Sequence, residues 1–318
     1  MNISDIRAAA ERIKPYVKRT HIEQSRTLSG LLGTNVFVKY ELFQKIGAFK
    51  ARGAFNKMLL MPETDRARGV VAVSGGNHAE AVAYAASTLG IDAVLVMPES
   101  TPRTYVDATR GYGATVDLLP TIAECFEKVK EYEALGRFSI HPFDDPEVMA
   151  GQGTIGLEIM EELPDATDVI VSIGGGGLAG GVSTAIKALN PATRIWGVET
   201  KGADAMSLAL AAGEPVHLPA ITSIAKTLGA PYVTEQTLNL VKENLESVTV
   251  VTDAEAVEAL LLIAERLKVI TEPAASCTWA AAQHLRDNFA PDSKVVLILC
   301  GGNTSLRDVC GYIKDLGV

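Results

Sequence analysis

The chain has 318 residues, 47% hydrophobic and 21% charged, which is an ordinary globular composition and enough for one large α/β domain or two lobes. A formal net charge of −9 argues against a nucleic acid or an anionic membrane as partner, and no apolar run reaches the length of a membrane span. The opening Met1-Asn-Ile-Ser-Asp-Ile-Arg7 has early charges and no apolar h-region, so no secretory signal is expected. Cys125, Cys277, Cys300 and Cys310 are scattered without a CxxC pair and read as free thiols of a reducing, cytoplasmic compartment.

An amphipathic helix is expected over Ser4–Val17 with Ser4 as its cap, then a short helix over Thr27–Leu32 ending at Gly33, then a strand over Val36–Glu41. Next comes Gln44-Lys-Ile-Gly-Ala-Phe-Lys-Ala-Arg-Gly-Ala54, which puts Lys50 at or near the first turn of a helix continued by Phe55–Leu60. A helix N-terminus carries partial positive charge, a poor place for Lys50 and Arg52. A lysine in apolar surroundings beside a second cation has a lowered pKa, and such a lysine can form a Schiff base. Taken alone, the two cations read better as solvated helix-end residues. The rest of the chain reverses that preference.

From Arg68 the pattern becomes regular. Strands are expected at Gly69–Val73, Asp92–Met97 and Thr115–Leu118, with helices at His78–Leu89, Arg103–Tyr112 and Ile122–Ala134. Such a βαβα run predicts a parallel sheet. Gly151-Gln-Gly-Thr-Ile-Gly156 opens a second run. A helix reaches Leu163, Asp168–Ile173 is a buried strand, and Leu178–Leu189 and Arg194–Glu199 follow as helix and strand. Residues 203–213 read as helix and 214–247 as mixed. The strand Val248–Val251, the helices Asp253–Leu267 and 274–288, and the strand Lys294–Leu299 complete the pattern. The expected fold is α/β in two lobes, each an open, mostly parallel sheet flanked by helices. Residues 1–66 with 143–318 form the large lobe and 67–142 a small mobile one.

Three strand ends open into glycine turns: Ser74-Gly-Gly-Asn77, Gly174-Gly-Gly-Gly177 and Cys300-Gly-Gly-Asn303. In open parallel sheets ligands bind beyond the carboxyl ends of strands, and glycines there let backbone N–H groups approach an anion. The run at 174–177 is the best phosphate cradle. One such turn would be tight packing; three favour a ligand site. A rival stands beside it, because Gly175–Gly180 satisfies G-x-G-x-x-G between strand and helix, with Glu199 ending the next strand. That is the dinucleotide fingerprint of a nicotinamide oxidoreductase. It leaves the lysine stretch and both Gly-Gly-Asn turns without a role.

The sequence resembles the fold type II pyridoxal-phosphate enzymes, in the threonine/serine dehydratase and serine racemase group. The likeness rests on Phe49-Lys-Ala-Arg-Gly-Ala54, Ser74-Gly-Gly-Asn-His78, Asp145-Pro146, Ala150-Gly-Gln-Gly-Thr-Ile-Gly-Leu-Glu158, the tetraglycine run, Glu272-Pro-Ala274 and Cys300-Gly-Gly-Asn303, and it covers nearly the whole chain. It implies that Lys50 is catalytic and holds pyridoxal 5'-phosphate as a Schiff base. Gly174, Gly175, Gly176, Gly177 and Leu178 would hold the phosphate, Asn77 the ring hydroxyl, Phe49 a ring face, and Cys300 the pyridine nitrogen. Ser74, Gly75, Gly76, Asn77 and His78 would form the substrate loop, with Ser74, Asn77 and His78 on the substrate carboxylate. A satisfied helix-start histidine is the alternative for His78. A neutral thiol is a weak donor, so the ring nitrogen would stay unprotonated. A homodimer is a further implication, as is an amino acid as substrate.

The chain departs from that group in places. Racemases carry a serine where Gly75 stands, so elimination is expected over racemisation. Their divalent cation (Mg or Mn) would find Glu199 and Ala203 here but Ala205 in place of the second acid, and hard cations need several oxygen ligands. Glu199 also reads as a plain strand-end residue. Lys226 lies in Ser223-Ile-Ala-Lys-Thr227, where that group usually has an Asp-Gly pair. It is either solvated or a cation for a second substrate carboxylate, as in 3-hydroxyaspartate. Tyr112 aligns with a racemase pocket tyrosine and also reads as a core residue. No regulatory domain is expected after the last glycine turn. The resulting expectation is a dehydratase (ammonia-lyase) that turns a β-hydroxy amino acid of the L-threonine/L-serine type into a 2-oxo acid and ammonia. The alternatives are a 3-hydroxyaspartate dehydratase, a serine racemase, a nicotinamide oxidoreductase and a non-catalytic pyridoxal-phosphate-binding protein.

Overall fold

A computed structural model describes residues 1–318. The chain runs α1 (Ile3–Ile13), β1 (Ile22–Gln24), α2 (Arg26–Leu32), β2 (Asn35–Lys39), α3 (Ala51–Leu60) and α4 (Glu63–Arg68). Then β3 (Val70–Val73), α5 (Asn77–Leu89), β4 (Ala93–Pro98), α6 (Arg103–Gly111), β5 (Thr115–Leu119), α7 (Ile122–Ala134) and β6 (Phe138–Ser139) alternate. The long α8 (Pro146–Glu162) leads into β7 (Asp168–Ser172), α9 (Gly177–Leu189), β8 (Arg194–Thr200), α10 (Ala205–Ala212) and α11 (Glu235–Asn244). The chain closes with β9 (Ser247–Val251), α12 (Asp253–Leu267), α13 (Pro273–His284), β10 (Lys294–Ile298) and α14 (Leu306–Leu316).

Two open sheets result. The six-stranded sheet has the order β1-β2-β10-β7-β8-β9 and is parallel except where β1 pairs with β2. The four-stranded sheet, β5-β4-β3-β6, is wholly parallel. In the larger sheet, Val295, Leu297 and Ile170 turn to one face, against α2, α12 and α13. Val296, Ile298, Val169 and Val171 turn to the other, against α8, α9 and α10. Both faces are covered, which is why these strands read as unbroken apolar runs. Each fully buried branched side chain contributes about 1.5–3 kcal/mol. The expected lobe boundary at 66/67 falls inside α4, while that at 142/143 falls between β6 and α8.

Several local expectations need correction. Asn2, not Ser4, caps α1: its side chain accepts from Ser4 N and Asp5 N, and the Asp5 carboxylate accepts from Asn2 N. An Asn cap with an acid at the third helical position outcompetes a serine two residues further on. That helix stops at Ile13 rather than Val17. The helix bearing Gly151 begins at Pro146, with Asp145 accepting from Glu147 N and Val148 N. Its glycines serve close packing: a Cβ on Gly151 would lie 2.6 Å from Arg52 O, and one on Gly156 2.8 Å from Val182 O. The 274–288 helix ends at His284, and α4, β1, β6 and α14 were not anticipated.

Candidate active site

Lys50 is the N-cap residue of α3, one residue before the helix proper. Its Nζ donates to Pro142 O at 2.6 Å and sits 5.2 Å from the centre of the Phe49 ring. Burial lowers its pKa to about 8, against partial compensation from the charges of Cys300 and Glu272. The second cation of the motif has a different part. Arg52 is 1% exposed and donates to Glu41 (2.8 and 2.9 Å) and to Glu158 (2.7 and 2.9 Å). Its charge is therefore spent on two carboxylates, and burial rather than Arg52 depresses Lys50. Lys39, also buried, pairs with Glu158 and donates to Thr20 O at 2.6 Å. This four-charge network fixes α3 to β2 and α8 directly behind Lys50. A cavity of about 310 Å³ lies beside the network, between α1 and α8; Lys50 does not line it.

All three glycine turns converge on Lys50. Phe49 N donates to Cys300 O, and Ala48 bridges Gly301. Asn77 Nδ2 reaches Glu272 at 2.9 Å, and a Cβ on Gly301 would lie 2.4 Å from the same carboxylate. Pro142 faces Lys50, while its neighbour Phe143 lies over the tetraglycine turn, where a Cβ on Gly175 would come within 2.2 Å of the ring. The short turn Lys226–Leu228 touches both other loops, through Thr227 at Gly76 and Leu228 at Gly174. Strands β3, β7 and β10 thus deliver their carboxyl ends to one cleft, as open α/β sheets do.

The tetraglycine turn fits an anion. No backbone N–H from Gly174 to Ala179 has an acceptor in the protein, and Gly176 offers no side-chain cap to α9. Gly176 has φ +94°, and a Cβ there would lie 2.8 Å from Thr237. Buried N–H groups rarely stay unpaired, and a row of them at the start of a 13-residue helix suits an anion such as a phosphate.

Residues 13–301 match the family of pyridoxal-phosphate-dependent enzymes. The chain belongs to that family. The dinucleotide reading of Gly175–Gly180 falls with this assignment, and pyridoxal phosphate is the cofactor. Among relatives of this pyridoxal-phosphate enzyme, an L-threonine ammonia-lyase of Thermotoga maritima is 40% identical over 309 residues, 96% of this chain and 77% of that one. An L-threo-3-hydroxyaspartate ammonia-lyase of Saccharomyces cerevisiae is 37% identical, covering 95% and 93% of the two chains. The structure of maize serine racemase superposes with a TM-score of 0.93 at 37% identity, covering 99% and 97%.

The other expected site residues of the pyridoxal-phosphate enzyme take up defined positions. Ser74 Oγ accepts from Gly76 N at 3.2 Å, shaping the loop. A Cβ on Gly75 would lie 2.6 Å from Thr101 Oγ1, a buried hydroxyl with no partner in the protein. His78 is buried and bonds Ile140 O through Nε2 at 2.8 Å. Burial drives its pKa down to about 3, so it is neutral, Nε2 carries the proton, and Nδ1 is an acceptor. Cys300 is buried with Sγ toward Ala274 O at 3.7 Å, and burial pushes its thiol pKa well up. Leu178 is buried in the first turn of α9. Lys226 is exposed at the rim, and its Nζ has no partner.

The proposed cation site is otherwise engaged. Glu199 is fully buried and accepts from Met206 N (2.9 Å), Ser207 N (2.8 Å) and Ser207 Oγ (2.6 Å). Those three donors occupy three of the carboxylate's roughly four acceptor positions. Ala205 offers no oxygen from its side chain, and no group of three or more acidic, His or Cys side chains is arranged for a metal ion. Sequence reasoning missed Thr101, Pro142, Phe143 and Thr227 as parts of the cleft. His141-Pro142-Phe143, between the last small-sheet strand and a Pro-started helix, was the available signal.

Proposed function

We propose that the enzyme is a dehydratase that converts a β-hydroxy amino acid into a 2-oxo acid and ammonia. The observation that carries this reading is Gly75. The loop beside Lys50 has no side chain there, and Thr101 fills the space a side chain would occupy. A second acid–base group on the opposite substrate face, which racemisation requires, is thereby missing.

In this reading Lys50 holds the cofactor aldehyde, Gly174–Gly177 and Leu178 its phosphate, Phe49 a ring face, Asn77 the ring hydroxyl, and Cys300 faces the ring nitrogen. Pyridoxal phosphate, when bound, serves as the sink for the electrons left on Cα. Once the substrate's amine has replaced it on the aldehyde, the freed Lys50 amine, with its pKa near 8, would be partly neutral close to working pH and would take the Cα proton. Ser74 and Asn77 meet the substrate carboxylate. His78 walls the loop rather than donating, since its one N–H is held by Ile140. The lobes divide near residues 66 and 143, and the enzyme works as a cytoplasmic homodimer. No helix is long and apolar enough to cross a membrane.

L-Threonine and L-serine are the first substrates to test. One observation favours 3-hydroxyaspartate as well: Lys226 places an unpaired cation at the rim, next to the Thr227 that borders Gly76. Supplying each amino acid to the purified enzyme and measuring 2-oxo acid tests the reading. Its absence with every β-hydroxy amino acid, alongside D-serine formation from L-serine, would overturn it. Lys226→Ala is expected to lower kcat/KM for hydroxyaspartate about tenfold or more and leave threonine nearly unchanged. Equal losses would remove Lys226 from substrate recognition.

A further inference from the structure

Asn303, in the last glycine turn, holds three oxygens around one amide nitrogen. Its Nδ2 lies 2.8 Å from Ile46 O, 2.8 Å from Asn77 Oδ1 and 2.9 Å from Glu80 Oε2. An amide nitrogen has two hydrogens, so two oxygens are served and one is not. Asn77 in turn donates Nδ2 to both oxygens of Glu272, at 2.9 and 3.1 Å. Two carboxyl groups therefore flank one pair of amides, at the junction of α5 with the 301–303 turn and the start of α13.

The two acids are not equivalent. Glu272 receives the Asn77 amide and a Thr227 hydroxyl, and the Lys50 cation acts on it. Glu80 has only the overcommitted Asn303 nitrogen. The titratable groups that feel its charge are Glu272, Tyr105 and Tyr112, and none is a cation. Tyr105 spends its hydroxyl on Asn303 O at 2.7 Å. An ionised Glu80 would be buried with one shared amide hydrogen and no positive charge to meet it. A protonated Glu80 leaves no uncompensated buried charge and still accepts from Asn303.

We propose that Glu80 is a positioning residue that keeps its proton and, through Asn303, holds Asn77 in the orientation from which its amide meets the cofactor. This rests on the reading of Asn77 given above. Burial first and Glu272 second raise the Glu80 pKa, to about 8. For an acid whose folded pKa lies above its unfolded value, the folded state is favoured below the unfolded pKa and penalised as pH rises through the folded one. Asn77 is therefore held firmly at neutral pH and released on the alkaline side.

The test compares the holoenzyme with Glu80→Gln and Glu80→Ala. Two readouts are taken from pH 6 to 9.5: the pyridoxal-phosphate dissociation constant from absorbance titration, and Tm. Glutamine is uncharged at every pH and keeps an acceptor oxygen for Asn303, so Glu80→Gln should bind the cofactor as wild type does at pH 7. It should keep that affinity as pH passes 8, and its Tm relative to wild type should rise from pH 6 to about 8 and level off above that. Glu80→Ala should weaken cofactor binding about three- to tenfold at pH 7, the worth of one buried hydrogen bond. Lys50 titrates in all three proteins and cancels in the comparison. Identical pH dependence of wild type and Glu80→Gln, or unchanged affinity in Glu80→Ala, would overturn the proposal and leave the site reading standing. Failure of wild type itself to bind pyridoxal phosphate would overturn both.

Discussion

Replacing Arg52 with methionine keeps most of the side chain's volume and removes its charge. In the wild type the guanidinium makes four bonds of 2.7–2.9 Å to Glu41 and Glu158, another of 3.0 Å to Thr154 Oγ1, and one of 3.3 Å to Lys18 O. Glu41 is fully buried, and Glu158 nearly so. After the change two buried carboxylates would share the single cation Lys39. Breaking a buried ion pair from one side costs about 3–5 kcal/mol, because the partner charge stays behind. At about 2.1 cal/mol/K of unfolding entropy per residue, that is a fall in Tm of about 4–8 °C for this chain. The cost also depends on pH. Burial alone would raise the Glu41 carboxyl, but Arg52 outweighs it and holds the pKa below the usual 4.5. That stabilisation is complete above the unfolded pKa and is lost as pH falls through the folded one. Wild type and Arg52→Met should therefore converge toward acid pH. Calorimetry or circular dichroism melts at pH 7.5 and pH 4 read both effects. A variant within about 1 kcal/mol of wild type at pH 7.5 would refute the view that Arg52 anchors the network, since exposed pairs cost no more than that.

Other outcomes follow from the same geometry. Gly75→Ser should lower kcat without creating racemase activity, because its Cβ meets Thr101 Oγ1 at 2.6 Å; Thr101→Ala in the same chain should relieve the loss, and D-serine formation by the single variant would contradict this. Magnesium or manganese should leave Tm unchanged, since Glu199 is already satisfied by Met206 and Ser207, and a rise of several degrees would show a bound cation. Glu199 carries its own pH signature. Burial raises its pKa to about 7, so it favours the folded state most at acid pH and loses that advantage as pH rises through 7. Glu199→Asp, which pulls the carboxyl back from α10, should lower Tm by more than a surface change does.

The cleft was legible where local chemistry dictates geometry. Strand, glycine turn and helix form one short continuous pattern, so the three turns and Lys50 could be placed from the chain alone. What could not be read depends on distant partners. Arg52 sits beside Lys50 in sequence and looked like a second cation of the site; its partners, Glu41 and Glu158, are set by the approach of α8. The start of α8 at Pro146 was obscured, because Gly151, Gly153 and Gly156 are poor helix formers. They are there because backbones of α3 and α9 pass too close for a Cβ. Asn77 and Glu272, separated by 195 positions, meet only in the fold. The same holds for Thr101 over Gly75.

Lys50 is the amine on which all three glycine turns converge. The most direct measurement compares the absorbance spectrum and turnover of wild type with those of Lys50→Ala. Wild type should show the absorbance of a lysine-linked pyridoxal phosphate and release 2-oxo acid from a β-hydroxy amino acid, and the variant should lose both. Turnover retained in Lys50→Ala would contradict this, as would a wild-type protein that stays colourless after pyridoxal phosphate is supplied.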